Sequence, residues 1–127
     1  MPAAPSKILV VDDAATIREV LKVHLRNAGY QVVVAEDGVV GARIVLAEPP
    51  ELIIVDAKMP YMSGYELAAA LLGDENTRHI PLILLTSDPE GEAQARELGI
   101  AAFLAKPVSA EHLLRTVARF APVAAAA

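Results

Sequence analysis

The stretch Leu52-Ile53-Ile54-Val55-Asp56-Ala57-Lys58-Met59-Pro60 decides the fold. Four consecutive apolar residues, mostly β-branched, read as a strand buried on both faces. The run stops on a carboxylate. Pro60 follows within four residues, so Asp56 is not the cap of a helix that starts straight after it. A charged side chain at the end of a buried strand sits where open parallel sheets place their ligands. Taken alone, such an Asp more often marks only a strand end and a turn. Three other apolar runs end the same way: Ile8–Val11 on Asp12-Asp13, Leu82–Leu85 on Thr86-Ser87-Asp88, and Ala102–Ala105 on Lys106-Pro107. The pattern is strand, polar tip, helix, repeated along the chain.

Working outward, Asp13 is placed to cap a helix whose apolar positions Ile17, Val20, Leu21 and Leu25 recur at helical steps, with Gly29 closing it. Gln31 to Ala35 alternates like a strand near a sheet edge, and Asp37-Gly38 opens a helix that ends before Pro49-Pro50. Gly41 inside that helix costs about 1 kcal/mol against Ala, and close packing on the sheet would compensate. Ser63-Gly64-Tyr65-Glu66 has the spacing of a capping box, followed by Leu67, Leu71 and Leu72. Asp74 to His79 is a polar connection. Asp88-Pro89 starts the next helix and Gly99 stops it. Ser109 caps the last helix, with Leu113, Leu114, Val117 and Phe120 facing inward and Glu111, His112, Arg115 and Arg119 facing water.

At 127 residues the chain is one domain, and with 54% apolar residues it needs no staples to fold. Residues 7–121 form the domain, with 1–6 an N-terminal tail and 122–127 an Ala-rich tail. No run reaches the ~18 apolar residues of a membrane span, and Met1 to Ser6 lacks a signal-like region. The absence of cysteine excludes disulfides and thiolate metal sites, and fits a cytoplasmic protein. A formal charge of −5 with no basic run argues against direct nucleic-acid binding. His24, His79 and His112 lie on separate segments without ligand spacing and read as surface or boundary residues.

Five strands alternating with five helices predict an α/β fold: a doubly wound parallel sheet, order 2-1-3-4-5, flavodoxin-like, with helices on both faces. In that order the acidic pair, Asp56, Thr86 and Lys106 converge on one pocket.

An Asp pair after the first strand, Asp56 with Met59-Pro60 and Gly64 behind it, Thr86 after the fourth strand and Lys106-Pro107 after the fifth closely resemble the receiver domain of two-component response regulators. The resemblance runs from Lys7 to about Phe120 and is closest to single-domain, chemotaxis-type regulators. It implies that Asp56 takes a phosphoryl group from a histidine kinase or a histidine phosphotransfer protein, forming an acyl phosphate. It implies that Asp12, Asp13, Asp56 and the backbone carbonyl of Lys58 hold Mg2+, which wants oxygen ligands and keeps several waters. Thr86 and Lys106 would contact phosphoryl oxygens, the Lys106-Pro107 peptide would be cis, and Phe103 would be the aromatic that moves with Thr86. Taken singly, Asp13 is a helix cap, Thr86 a strand residue, Lys106 a solvated lysine and Phe103 a core residue. Many relatives carry Tyr where this chain has Phe103, so any readout here rests on packing.

The expected function is a phosphorelay switch rather than an enzyme, catalysing only its own phosphorylation and dephosphorylation. Its signal would appear on the surface of the fourth helix, fifth strand and fifth helix, read by a downstream effector protein, with the chain a monomer or weak dimer. Lys58 and Asp88, each two residues beyond a site residue, flank the approach of a hydrolytic water; Lys58, alone or paired with Asp88, is expected to hinder that water and lengthen the phosphoryl lifetime, the alternative being two solvated charges. A haloacid-type phosphatase favours Asp where Lys58 stands, and no Gly-rich phosphate loop follows the first strand. The remaining alternative is a degenerate or truncated receiver acting as an interaction module of a larger regulator. No output domain is visible after Phe120, and a native Ala-rich tail is preferred to a truncated linker.

Overall fold

The computed structural model describes residues 6–122, which form five strands and five helices in strict alternation. The strands are β1 (Lys7–Val11), β2 (Gln31–Ala35), β3 (Leu52–Asp56), β4 (Leu82–Thr86) and β5 (Ala102–Ala105). The helices are α1 (Ala15–Asn27), α2 (Gly38–Ala47), α3 (Gly64–Leu72), α4 (Pro89–Leu98) and α5 (Ala110–Phe120). All four strand pairings are parallel and the order is β2-β1-β3-β4-β5, as the sequence predicts.

The buried strands divide their side chains by period two between two cores. Leu9, Val11, Ile53, Val55, Leu82 and Leu84 pack with Val45 of α2, Leu67 and Leu71 of α3 and Ala95 of α4. Ile8, Val10, Leu52, Ile54, Ile83 and Leu85 pack on the other face with Leu21 and Leu25 of α1 and Leu113 and Val117 of α5. A one-residue slip would drive each set into the opposite core, so register is strongly fixed. Val11 therefore lies beside Val55, Asp56 beside Leu85, and Thr86 beside Ala105.

Local chemistry sets the helix ends. Asp37 caps α2, Ser63 and Glu66 complete the capping box of α3, Asp88 caps α4 ahead of Pro89, and Ser109 caps α5. Gly29 and Gly99 follow α1 and α4 with φ of 101° and 86°, a region L-residues avoid. α1 departs from expectation. Its N-cap is Ala14, with no side-chain cap, and Asp13 is exposed. The Ala14 N–H is instead taken by Asp12 Oδ1 at 2.9 Å, so the carboxylate that orders this turn comes from the strand tip.

Close approach explains Gly41. A Cβ there would sit 3.0 Å from Val11 Cγ2, so the missing side chain lets α2 lie on β1. Ser6 and Pro122, read from the sequence as the innermost residues of the two tails, are both hydrogen-bonded. Ser6 O accepts from Gln31 N at 3.0 Å, and Ser6 Oγ donates to Pro122 O at 3.0 Å, joining the first and last described residues. The rest of both tails, 1–5 and 123–127, lies outside the described residues.

Candidate functional site

Parallel strands in this order present their carboxyl ends at one edge, and the polar tips meet there. Asp12, Asp13 and Asp56 each bring a carboxylate oxygen to within 4.8 Å of the others. The Lys106 ammonium, arriving from the end of β5, lies 2.7 Å from Asp56 Oδ1 and 3.7 Å from Asp12 Oδ2. Asp56 is buried, while the lysine keeps partial exposure.

Asp12 is the strained member. It has no exposed surface, Oδ1 accepts from Ala14 N, and Oδ2 has no hydrogen-bond partner. Burial raises its pKa above the ordinary carboxylate value, Asp56 and Asp13 push the same way, and the Ala14 N–H and Lys106 pull against them. A buried oxygen without a donor, facing two more carboxylates, is what a hard cation with oxygen ligands would satisfy. The donor set therefore fits a magnesium-class ion on its own chemistry.

Thr86, buried at the tip of β4, accepts from Asp88 N at 3.0 Å and donates to Asp88 O at 3.3 Å. Asp88 spends its own carboxylate on the Glu90 N–H at 3.0 Å. Lys58 is exposed, and no ion pair joins it to Asp88 among the described residues, so the paired arrangement is absent. Phe103 is half-buried against the core beside α4, with the Arg96 guanidinium 5.7 Å from its ring centre. The Lys106-Pro107 peptide is cis. His24, His79 and His112 lie on α1, the α3–β4 connection and α5, and none belongs to the acidic cluster.

Several supporting residues carry no motif. Arg18 Nη1 donates to the Asp12 carbonyl at 2.7 Å, holding the β1 tip from one turn into α1. Thr77, inside a connection read as merely polar, is buried and donates to Leu71 O at 2.6 Å. A Cβ at Gly91 would overlap the Tyr65 hydroxyl and come 2.9 Å from Thr86 Oγ1. That glycine inside α4 was the available signal that another chain segment passes close by. Gly64 is tighter still, because its Cβ would overlap the backbone oxygen of Asp56. Gly64→Ala is expected to cost about 2–3 kcal/mol in urea unfolding, since only main chain at the strand tip could move aside. Gly73→Ala, at the other end of the same helix, should cost under about 1 kcal/mol; equal losses at both would refute the close-approach account.

The family model for the response regulator receiver domain matches residues 8–118. The chain belongs to that family. Among relatives of this receiver, the phosphate regulon transcriptional regulatory protein PhoB of Pseudomonas aeruginosa is 38% identical over 109 residues, covering 84% of this chain and 48% of PhoB. Protein PilH of the same organism is 32% identical over 114 residues, covering 88% of this chain and 94% of PilH. The solved receiver domain of the sensor histidine kinase PA1611 from Pseudomonas aeruginosa is 29% identical, with a TM-score of 0.84 over 92% of this chain and 98% of that one. That structure carries a magnesium ion in its active-site cleft. The receiver spans about half the length of the first curated relatives it matches, near 48% of each. No helix among its described residues is long and apolar enough to cross a membrane.

Proposed function

We propose that this receiver accepts a phosphoryl group on Asp56 and passes the event to a partner protein. The observation that carries the reading is the Lys106 ammonium held 2.7 Å from Asp56 Oδ1, inside a cluster of carboxylates whose deepest member has an orphaned oxygen. An Asp56 oxygen attacks the phosphorus of a phosphohistidine; the P–O bond forms, the P–N bond breaks with its electron pair going to nitrogen, and the ring, already protonated on its other nitrogen, leaves as neutral imidazole. Asp12, Asp13, Asp56 and the Lys58 backbone carbonyl form the ligand set for Mg2+, which when bound supplies positive charge beside the phosphoryl oxygens. Lys106 then exchanges its carboxylate contact for a phosphoryl oxygen, and the Thr86 hydroxyl turns from Asp88 to donate a hydrogen bond to another.

Phosphorylation adds about −1.5 to −2 charges at this edge. Thr86 and Phe103 follow, and the α4–β5–α5 surface carries the change by biasing an existing equilibrium. The phosphodonor is a histidine kinase or histidine phosphotransfer protein, and in this reading the receiver acts in the cytoplasm as a monomer or weak dimer. Its catalysis is confined to its own aspartate. The test is phosphoryl uptake from acetyl phosphate, which Mg2+ should support and a chelator should stop. Failure of uptake in saturating Mg2+ would favour the second reading, a receiver that serves as an interaction module within a larger regulator. The half-length match to transcriptional regulators supports that longer architecture, and with it nucleic acid as a partner of the whole protein.

Lys58, exposed beside the acceptor, obstructs the approach of a hydrolytic water without help from Asp88. Lys58→Ala is expected to shorten the phosphoryl lifetime several-fold. An unchanged decay of labelled protein would rule that out.

A further inference from the structure

We propose that Tyr65 is a positioning residue for phosphoryl capture: when Thr86 turns to the phosphoryl group, the Tyr65 hydroxyl takes over the Asp88 N–H that Thr86 releases. The inference rests on the turning of Thr86 in the reading above and adds the residue that offsets its cost. The two hydroxyls meet at Gly91, buried in the first turn of α4. A Cβ there would overlap the Tyr65 hydroxyl, and would lie 2.9 Å from Thr86 Oγ1 and 3.4 Å from its methyl carbon. One point therefore lies against both side chains, and glycine leaves room for them together. Tyr65 comes from the first turn of α3, and its ring packs against the core that holds Leu84 and Ala95.

The bonds around Asp88 define what Thr86 leaves behind. Thr86 Oγ1 accepts from Asp88 N at 3.0 Å and donates to Asp88 O at 3.3 Å. Once Thr86 has turned away, Asp88 O still accepts from Gly91 N at 3.0 Å. Asp88 N is part-buried and has no second acceptor among the described residues. Stripping that N–H of its partner costs a hydrogen bond, which opposes the turn. The Tyr65 hydroxyl is free to replace it. No hydrogen bond engages that hydroxyl among the described residues, whereas the Tyr30 hydroxyl is spent on Ala121 O at 2.6 Å. A hydroxyl oxygen accepts as well as donates, so a short movement into the space Thr86 vacates satisfies Asp88 N. The replacement comes from α3; Phe103 on β5 has no hydroxyl to offer.

The probe is beryllofluoride, a phosphoryl mimic, titrated in saturating Mg2+ into full chain carrying 15N and 13C-labelled tyrosine. Tyr65→Phe, which keeps the ring, should bind it roughly fivefold more weakly than wild type, with Mg2+ affinity unchanged. In a Thr86→Val background the same substitution should weaken binding no further, because no hydroxyl then leaves Asp88 N. In wild type, beryllofluoride should move the 13Cζ resonance of Tyr65, assigned by elimination with Tyr30→Phe and Tyr61→Phe, while that of Tyr30 stays in place. Equal affinity of Tyr65→Phe and wild type would mean that the ring only packs or that water serves Asp88 N, and would overturn the proposal. An unmoved Tyr65 resonance, or the same loss persisting beside Thr86→Val, would overturn it too. Failure of the switch reads differently: beryllofluoride would bind wild type and leave the Thr86 amide and methyl resonances unmoved, which sinks both readings. Thr86 resonances that move equally with and without the Tyr65 hydroxyl, at equal affinity, sink this inference alone.

Discussion

Lys106→Met is expected to slow phosphoryl uptake from acetyl phosphate by roughly 100-fold, the cost of removing one preorganised donor from a developing charge. The same substitution should tighten Mg2+ binding. In the folded chain the ammonium already sits 2.7 Å from Asp56 and 3.7 Å from Asp12, so it repels a second cation from the carboxylates it neutralises. Methionine fills similar space without charge, leaving the acidic cluster more negative. Slower uptake together with tighter Mg2+, read by stopped-flow labelling and by cation titration, is a pair of changes that simple misfolding would not produce. Weaker Mg2+ binding in the variant would contradict the assignment of Lys106 as a competing charge.

Asp12→Asn should make the metal-free protein more stable by about 1–2 kcal/mol and weaken Mg2+ by at least about 100-fold. Asparagine keeps an oxygen for the Ala14 N–H and replaces the orphaned Oδ2 with an amide that can donate to Asp13 or Asp56. The pH dependence follows from the direction of the shift. Because burial raises the folded pKa of Asp12, the native state holds its proton more tightly than the unfolded chain does. That contribution to stability is present at pH below the ordinary carboxylate range and is lost as pH rises through the raised value. Without divalent cation, wild type should therefore lose stability across that window and the variant should lose less. Mg2+ binds the ionised form, so at neutral pH it should stabilise wild type and leave the variant nearly unmoved. Equal stabilisation of both would remove Asp12 from the ligand set.

These effects arise from an arrangement largely legible in the sequence, and the reasons are local. Leu52 to Val55 is apolar at every position because β3 is covered on both faces, and Asp37, Ser63, Asp88 and Ser109 announce helix starts through a bond each makes to its own turn. The convergence of Asp12, Asp56 and Lys106 needed only the strand order, and the same order puts Thr86 at the tip of the strand between those of Asp56 and Lys106. Asp13 misled because the helix starts one residue later than that role requires: its N-cap is Ala14, Asp13 is exposed, and the carboxylate that bonds this turn is that of Asp12. Lys58 makes no ion pair with Asp88 among the described residues, and one Asp88 oxygen serves the α4 cap. Gly91 signalled a close approach but not that Tyr65 makes it, and Arg18 on the Asp12 carbonyl carried no signal at all, because such partners depend on how neighbouring elements come to rest. Tyr61, exposed with φ of 70° between Pro60 and a Met62 N–H that donates to Pro60 O, likewise shows nothing in its neighbours to announce a left-handed tyrosine.

Everything rests on polar strand tips gathering around one acidic acceptor. The direct measurement is tandem mass spectrometry of the protein after exposure to acetyl phosphate, once in Mg2+ and once in chelator. The phosphoryl group should map to Asp56 in Mg2+ and be absent in chelator. A group found on another residue, or uptake that ignores the chelator, would contradict the account.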